Sequence, residues 1–202
     1  MVGRASGITD SLIGWGVYVV GLLPAAIYFW WGATGGLGAD PVREFEQTLG
    51  LWALRFLILT LAVTPLRELA GVNLLRYRRA LGLLAFWYAV MHFTVYLTLD
   101  RGLLWGTILP DIAKRPFITL GFSALVLLVP LALTSNRLSI RRLGRNWRRL
   151  HRLVYVAAAL AAVHYLMATK VVDPTQAAHV GLIVLLLAYR LVRPLIPRRR
   201  AV

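Results

Sequence analysis

Four histidines are the residues of this chain best suited to hold a metal, because its 202 residues include no cysteine. They stand at His92, His151, His164 and His179. Neutral imidazole is a common metal ligand, whereas thiolate sites, Fe–S clusters and disulfides all require cysteine. Any redox chemistry of this chain therefore has to use another cofactor, with histidine as the main candidate ligand.

Two arginines stand where a charged group could bind a cofactor. Arg55 falls in the middle of an apolar run, where its side chain cannot easily reach water and needs an anionic or carbonyl partner. A haem propionate, a quinone carbonyl or a backbone carbonyl of a neighbouring helix would each satisfy it. Arg78 lies fourteen residues before His92, and its planar guanidinium suits haem propionates or a flavin phosphate.

The segments that carry these residues are too apolar for an ordinary soluble domain. Hydrophobic residues make up 59% of the chain and charged residues 15%, and the mean hydropathy is +0.69. The apolar runs are continuous rather than alternating and are close to the roughly 20 residues that span a bilayer, which predicts an all-α membrane protein rather than a barrel. We place six transmembrane helices at about residues 12–31, 47–65, 79–99, 116–134, 150–168 and 177–195.

The basic residues predict how these helices are oriented. Of the 23 Lys and Arg, seventeen fall in the segments on one side, five on the other, and Arg55 alone within a span. The acidic residues divide the other way, with two on the basic side and six opposite. Because Lys and Arg collect on the cytoplasmic side, both termini are expected to be cytoplasmic, and the third and fifth helices run in the same direction.

This orientation brings two of the histidines to one depth. His92 and His164 each lie about fourteen residues from the cytoplasmic start of their helix, the third and the fifth. Opposed imidazoles favour the two axial positions of a haem iron in a helix bundle, and hydrogen bonding between helices is the simpler alternative. Gly82 is a position where a flat ring could approach the backbone.

The remaining two histidines have less support as ligands. His151 lies thirteen residues before His164, about 20 Å of helical rise but roughly 140° around the helix, so two stacked sites would need a bend or an irregular first turn. It also stands in a basic run, where a solvated interfacial histidine needs no ligand. His179 is expected near the outer surface.

The net charge of +15 does not indicate nucleic-acid binding. The arginines are spread over several segments beside a bilayer, where they set the topology and attract anionic membrane lipid. The longest connection, from Leu99 to Arg115, is too short for a nucleotide-binding domain. The glycines between Gly32 and Gly38 do not match a GxGxxG motif and are expected to form a tight outer turn.

Short motifs along almost the whole chain resemble a known family. They read GGLGADPV at residues 35–42, YRR at 77–79, KRPFIT at 114–119, PLALTS at 130–135, LGR at 143–145 followed by Trp147, and LHRLVY at 150–155. In this order they resemble the MsrQ (formerly YedZ) family, the haem-binding membrane subunit of bacterial periplasmic protein-methionine-sulfoxide reductase systems. That family belongs to the ferric-reductase-like transmembrane superfamily, which includes the NADPH oxidases.

The resemblance implies a multi-pass b-type cytochrome of the bacterial inner membrane, with residues 1–202 forming one ferric-reductase-like domain that binds haem b and FMN. It would pass electrons from the quinone pool, or from a cytoplasmic flavin reductase, to a periplasmic molybdenum-containing methionine-sulfoxide reductase that repairs oxidised proteins. Substrate reduction is expected on that partner. By position, His92, His151 and His164 match the family's haem ligands, and His179 matches none.

One departure from the superfamily limits this expectation. In NADPH oxidases the third helix carries two histidines fourteen residues apart, but Arg78 stands at the earlier position here, so His151 is expected to lack an imidazole partner. With no nucleotide-binding sequence, the chain is not expected to accept hydride from NADPH unaided.

Two alternatives remain open beside the electron-transfer subunit. One is a ferric or cupric reductase-like membrane module, and the other is a non-redox small transporter or assembly factor whose histidines bond between helices or bind a metal in transit. For the electron-transfer subunit, the slightly acidic outer loops are the hypothetical docking surface of the partner. Their acids include Asp40, Glu44, Glu46 and Asp111.

Overall fold

The computed structural model describes residues 3–169 and 171–195. In that part of the chain the regular secondary structure is helical, and six helical segments are long and apolar enough to cross a membrane, which confirms the predicted fold class. The helices are α1 (Gly3–Thr34), α2 (Pro41–Ala70), α3 (Arg78–Val95), α4 (Trp105–Lys114), α5 (Pro116–Leu133), α6 (Arg137–Leu143), α7 (Arg145–Leu150), α8 (Leu153–Met167) and α9 (Pro174–Val192). The spanning segments contain α1, α2, α3, α5, α8 and α9.

Helix α2 extends beyond its predicted bounds at both ends. Asp40 caps its start, where the side chain accepts a hydrogen bond from the Arg43 amide at 3.2 Å, and Pro41 occupies the first turn. Its end is set by Gly71, which adopts a left-handed conformation with φ +70°. The charged first turn therefore belongs to the helix, although its polarity predicted a loop.

Helix α1 is fixed to α3 by a polar contact in apolar surroundings. The fully buried Tyr88 donates from its hydroxyl to the Gly21 carbonyl at 2.7 Å and accepts from the Ala25 amide at 3.1 Å. In a regular helix the Gly21 carbonyl and the Ala25 amide would bond to each other, so the Tyr88 hydroxyl is inserted between them. The insertion lies beside Pro24, where a helix is easily bent. Leu84 packs so closely on Gly21 that a Cβ there would lie 2.5 Å from it.

Two helix pairs form the framework of the bundle. Helix α2 packs mainly on α3, and α5 packs mainly on α8. Contacts between α3 and α5 join the two pairs, while α9 packs against α2 and α8. The main core lies within this arrangement and includes Leu49, Leu61, Leu84 and Ala158, all at most 1% exposed. The third and fifth predicted helices correspond to α3 and α8.

Short helices that the sequence reading missed cover both ends of the bundle. Helix α4 lies in the connection between α3 and α5, with Ile108 fully buried against Tyr96 and Ile118. Asp111 of this helix pairs with Arg101 at 2.9 Å. At the opposite end, α6 and α7 meet at Gly144, which has φ +50°. We name the end with α4 and residues 35–40 the acidic end, and the end with α6 and α7 the basic end.

Candidate haem-binding site

The structure brings His92 of α3 and His164 of α8 together. Their ring centres are 6.2 Å apart, and the ring planes are inclined by 69°. A metal bound by two imidazoles lies about 2 Å from each nitrogen, and each ring centre lies about 1 Å further away, so a separation near 6 Å leaves room for one metal ion. The depth match predicted from the sequence therefore corresponds to a close approach.

Backbone carbonyls fix the tautomer of both rings. Nδ1 of His92 lies 2.8 Å from the carbonyl oxygen of Glu46, and Nδ1 of His164 lies 2.6 Å from that of Phe117. A carbonyl only accepts hydrogen bonds, so both Nδ1 atoms carry the proton and both Nε2 atoms keep a lone pair. Each histidine thus bonds to a neighbouring helix and remains free to bind a metal through its other nitrogen.

Two glycines allow the imidazoles to reach those carbonyls. A Cβ on Gly50 would lie 3.1 Å from Nδ1 of His92, and one on Gly121 would lie 2.8 Å from Nδ1 of His164. Each glycine follows its carbonyl by four residues, Glu46 on α2 and Phe117 on α5. The α2–α3 and α5–α8 pairs therefore hold their histidines by the same local device, which the sequence reading did not detect.

Gly82, which the sequence singled out for ring approach, has a different neighbour. A Cβ there would meet the side chain of Thr60 at 3.7 Å, an ordinary packing distance. That a flat macrocycle approaches the backbone at Gly82 stays a prediction, whereas the glycines that lie against the histidine rings are Gly50 and Gly121. In the sequence these glycines are marked only as small residues of the helix that faces each histidine, four positions after the residue whose carbonyl binds the ring.

A cavity of about 480 Å³ adjoins the two histidines, within the size range of small-molecule and cofactor pockets. Apolar side chains from α2, α3, α5 and α8 form most of its walls, including Leu54, Ala89, Phe93, Phe122, Leu125 and Ala161. Polar residues line it toward the acidic end, among them Gln47, Asp100, Arg101 and Thr169. Two neutral imidazoles, apolar walls and one guanidinium form a donor set that fits a haem.

His151 lies apart from this site, in the turn between α7 and α8. The Thr134 hydroxyl donates to the Pro130 carbonyl at 2.6 Å, so it accepts from Nε2 of His151, which is 3.0 Å away. The Trp147 ring stacks on the imidazole with centres 3.9 Å apart, and Trp147 also donates to the Thr134 carbonyl at 2.9 Å. The nitrogen that His92 and His164 leave free is therefore a donor in His151.

The two predicted arginines also lie outside the cavity lining. Nε of Arg55 lies 3.4 Å from Nε2 of His179, and its guanidinium lies 4.9 Å from the centre of the Trp52 ring. Among the described residues the partner of Arg55 is thus a histidine of α9, which the sequence does not predict. Arg78 begins α3 at the basic end, where its Nη1 is 3.5 Å from Oγ1 of Thr64.

Arg101 is a site residue that sequence reasoning missed. It lines the cavity, forms ion pairs with Asp100 at 3.0 Å and Asp111 at 2.9 Å, and lies over the ring of Tyr96 at 5.5 Å. The sequence places Arg101 in a loop after the third helix, because it does not predict α4, the helix that holds Asp111. No separate signal in the sequence distinguishes it from the other basic residues of the connections.

The fold and this site define a multi-pass membrane protein in which two facing histidines each keep one ring nitrogen available to bind a metal. A family model described as "Ferric reductase like transmembrane component" matches residues 49–162, more than half of the chain. No solved structure matches the chain.

The chain is also similar to curated bacterial proteins named "Protein-methionine-sulfoxide reductase heme-binding subunit MsrQ". The one from Brucella anthropi is 58% identical over 188 residues, covering 93% of this chain and 86% of the relative. The one from Rhizobium meliloti is 60% identical over 179 residues, covering 89% and 83%. This chain therefore belongs to the MsrQ family, within the ferric-reductase-like transmembrane proteins.

Proposed function

We propose that the chain is the electron-transfer subunit of a methionine-sulfoxide reductase system and that His92 and His164 are the axial ligands of a b-type haem. The opposed imidazole pair carries this proposal, because both Nδ1 atoms are held by carbonyls and the ring centres are 6.2 Å apart. The names of the relatives, which describe haem-binding subunits, support the same cofactor. When bound, haem supplies a reversible one-electron reduction of its iron.

The chain's own residues would bind, orient and shield that group. The carbonyls of Glu46 and Phe117 hold the rings in position and increase the basicity of Nε2. The apolar walls exclude water, which influences the reduction potential. Arg101 is the residue that we assign to the propionates, in place of Arg55 and Arg78, because it lines the cavity and they do not.

We propose a direction of electron flow from the distribution of charge. The basic end would face the cytoplasm of the bacterial inner membrane, with both termini there, and the acidic end would face the periplasm. Electrons would enter from the quinone pool or from a cytoplasmic flavin reductase. They would leave to a periplasmic molybdenum-containing methionine-sulfoxide reductase, on which the substrate is reduced. FMN is the second cofactor that we propose.

The acidic end is the proposed docking surface for that partner. Three of its acids already have structural roles: Asp40 caps α2, Glu44 accepts from the Gly38 amide at 3.0 Å, and Asp111 pairs with Arg101 and Arg115. Glu46 forms no ion pair among the described side chains and lines the cavity. Because its carboxylate has no cationic partner there, Glu46 is the acid of this set that we assign to docking.

A ferric or cupric reductase-like module is the second candidate, favoured by the description of the matching family model. Both candidates use the same histidine pair and differ in the acceptor. Reduction of the haem followed by addition of a ferric chelate or of the periplasmic partner separates them, since only the true acceptor reoxidises the protein rapidly. A non-redox transporter would give neither reaction.

An absorption spectrum of the purified protein tests the haem proposal. Wild-type protein and a His179→Ala control should give a reducible low-spin haem spectrum, and His92→Ala and His164→Ala should lose it. Protein that stays colourless after expression with haem precursor would contradict the proposal.

The electron donor is tested separately in liposomes. If reduced quinone reduces the haem without a flavin reductase, the donor is the quinone pool. If it does not, and reduced flavin from a flavin reductase does reduce the haem, the donor is the flavin reductase.

A further inference from the structure

Arg190 of α9 carries buried polar atoms that nothing in the described part of the chain satisfies. Its Nε and Nη2 are inaccessible to solvent and have no hydrogen-bond partner among the described residues. The guanidinium lies 5.7 Å from the centre of the Tyr155 ring. Because arginine stays charged in proteins, buried guanidinium nitrogens without hydrogen bonds are costly, and we take these two nitrogens as a sign of a missing anionic partner.

The acid that contacts the residues flanking Arg190 is already occupied. Glu68 of α2 accepts from Arg193 through both carboxylate oxygens and from the Tyr189 hydroxyl at 2.7 Å. Arg67 lies 3.6 Å from it as well. Among the side chains that the structure describes, no carboxylate lies within 4 Å of Arg190 or Arg78.

Three cationic or cationisable groups converge at this end from three places in the fold. Arg78 begins α3, His151 lies in the turn before α8, and Arg190 lies near the end of α9. Arg78 contacts Thr64 of α2, and Glu68, one helical turn further along α2, binds Tyr189 and Arg193, which flank Arg190. The one hydrogen-bond contact of Arg78 among the described residues is the long one to Thr64, so most of its donors remain available.

We propose that Arg78 and Arg190 together bind the phosphate group of an anionic ligand at the basic end of the bundle. A phosphate monoester carries a charge of about −1.5 to −2, which matches two uncompensated guanidinium groups, and its oxygens suit their planar donors. The two carboxylates of a second haem would match the charge, but no second imidazole faces His151 in the described structure. Two sources carry such a phosphate: flavin mononucleotide, for which this inference rests on the FMN cofactor proposed above, and the headgroup of an anionic phospholipid.

Titration of the detergent-purified protein with FMN and with riboflavin tests the proposal, since the two differ only by the phosphate. If FMN is the source, the wild type binds FMN more tightly than riboflavin, and Arg190→Gln and Arg78→Gln each weaken FMN binding by about tenfold or more while leaving riboflavin unchanged. Arg137→Gln, a basic-end arginine of α6, is the matched control and should bind FMN as the wild type does.

The lipid source is tested by counting phosphatidylglycerol molecules that remain bound to protein extracted from vesicles containing that lipid. If the headgroup is the source, Arg190→Gln and Arg78→Gln each retain less phosphatidylglycerol than Arg137→Gln, and FMN and riboflavin bind alike. If both variants bind FMN and phosphatidylglycerol as the wild type does, the proposal is wrong. The haem spectrum of each variant shows that it is folded, and it tests the haem proposal independently.

Discussion

Helix α3 carries His92 toward the acidic end and Arg78 at the basic end, while α8 carries His164 and the turn before it carries His151. The two ends differ in whether these side chains meet. His92 and His164 face each other at 6.2 Å between ring centres. Fourteen residues before His92 stands Arg78, and thirteen before His164 stands His151, yet these two form no hydrogen bond or ion pair with each other in the structure. A shared depth is therefore necessary for a two-helix site and not sufficient.

The difference lies in what holds each side chain. Each histidine of the first pair has a carbonyl partner for Nδ1 and a glycine that admits the ring, so Nε2 is left free. His151 uses Nε2 to donate to Thr134 and is covered on one face by Trp147. The two histidines toward the acidic end each keep Nε2 free to bind a metal. At the basic end, Nε2 of the one histidine is used in a hydrogen bond, and the arginines there suit an anion.

The largest expected effect comes from filling the space that admits the His164 ring. In Gly121→Ala the new Cβ would lie 2.8 Å from that imidazole, so the ring has to move and the variant should lose most of its haem absorbance. Gly50→Ala, at 3.1 Å from His92, should lose less. Haem content per protein, from absorbance and total iron, measures both.

Gly82→Ala is the control for these two variants. Its Cβ would meet Thr60 at an ordinary 3.7 Å, and alanine favours a helix at all three positions. Haem content should therefore equal that of the wild type. Equal losses in Gly82→Ala and Gly121→Ala would mean that ring accommodation is not what distinguishes the histidine pair.

His151→Ala should have a smaller effect, which falls on stability and not on haem binding. The variant loses the hydrogen bond to Thr134 and the stacking on Trp147, so its free energy of unfolding should fall by about 1–2 kcal/mol. Its haem spectrum should stay unchanged, because His151 does not contact the His92–His164 site. Thermal unfolding followed at the haem band measures both quantities, and a lost spectrum would show that the basic end contributes a ligand.

The sequence was sufficient for what depends on hydropathy and on charge asymmetry. Continuous apolar runs predict six spanning helices, and the depth match of His92 and His164 requires only helical rise and a shared direction. The irregular first turn that His151 would need is present, since α7 ends at Leu150 and α8 begins at Leu153. The spacing of the residues does not predict which way the His151 side chain points from this irregular turn.

What the sequence missed depends on contacts between distant segments. Helix α4 is amphipathic and short, and the burial of Ile108 against Tyr96 stabilises it more than its own propensity does. The partner of Arg55 is His179, 124 residues away, and neither residue's neighbours in sequence indicate it. Nothing in the sequence distinguishes Gly50 and Gly121 from other helical glycines unless the histidine that faces each of them is known.

Removing the charge of Arg101 should produce a smaller change at the acidic end. A positive charge near a haem favours the reduced iron, so Arg101→Gln should lower the midpoint potential, by less than about 60 mV, which corresponds to tenfold in the redox equilibrium constant. Arg55→Gln, which lies outside the cavity lining, should leave the potential unchanged. Potentiometric titration of both variants decides whether Arg101 or Arg55 acts on the cofactor.

The smallest effect is expected from Glu46→Gln. The His92 ring is held by the backbone carbonyl of this residue, so replacing the side chain should leave the haem spectrum unchanged. Because a charge at the edge of an interface acts mainly on the association rate, electron delivery to a positively charged partner surface should slow by a few-fold at low salt and recover at high salt. Asp111→Asn removes an equal charge that two arginines already compensate, so it should slow delivery less. A salt-independent loss in Glu46→Gln would instead mean that this carboxylate acts inside the cavity, on the histidine pair itself.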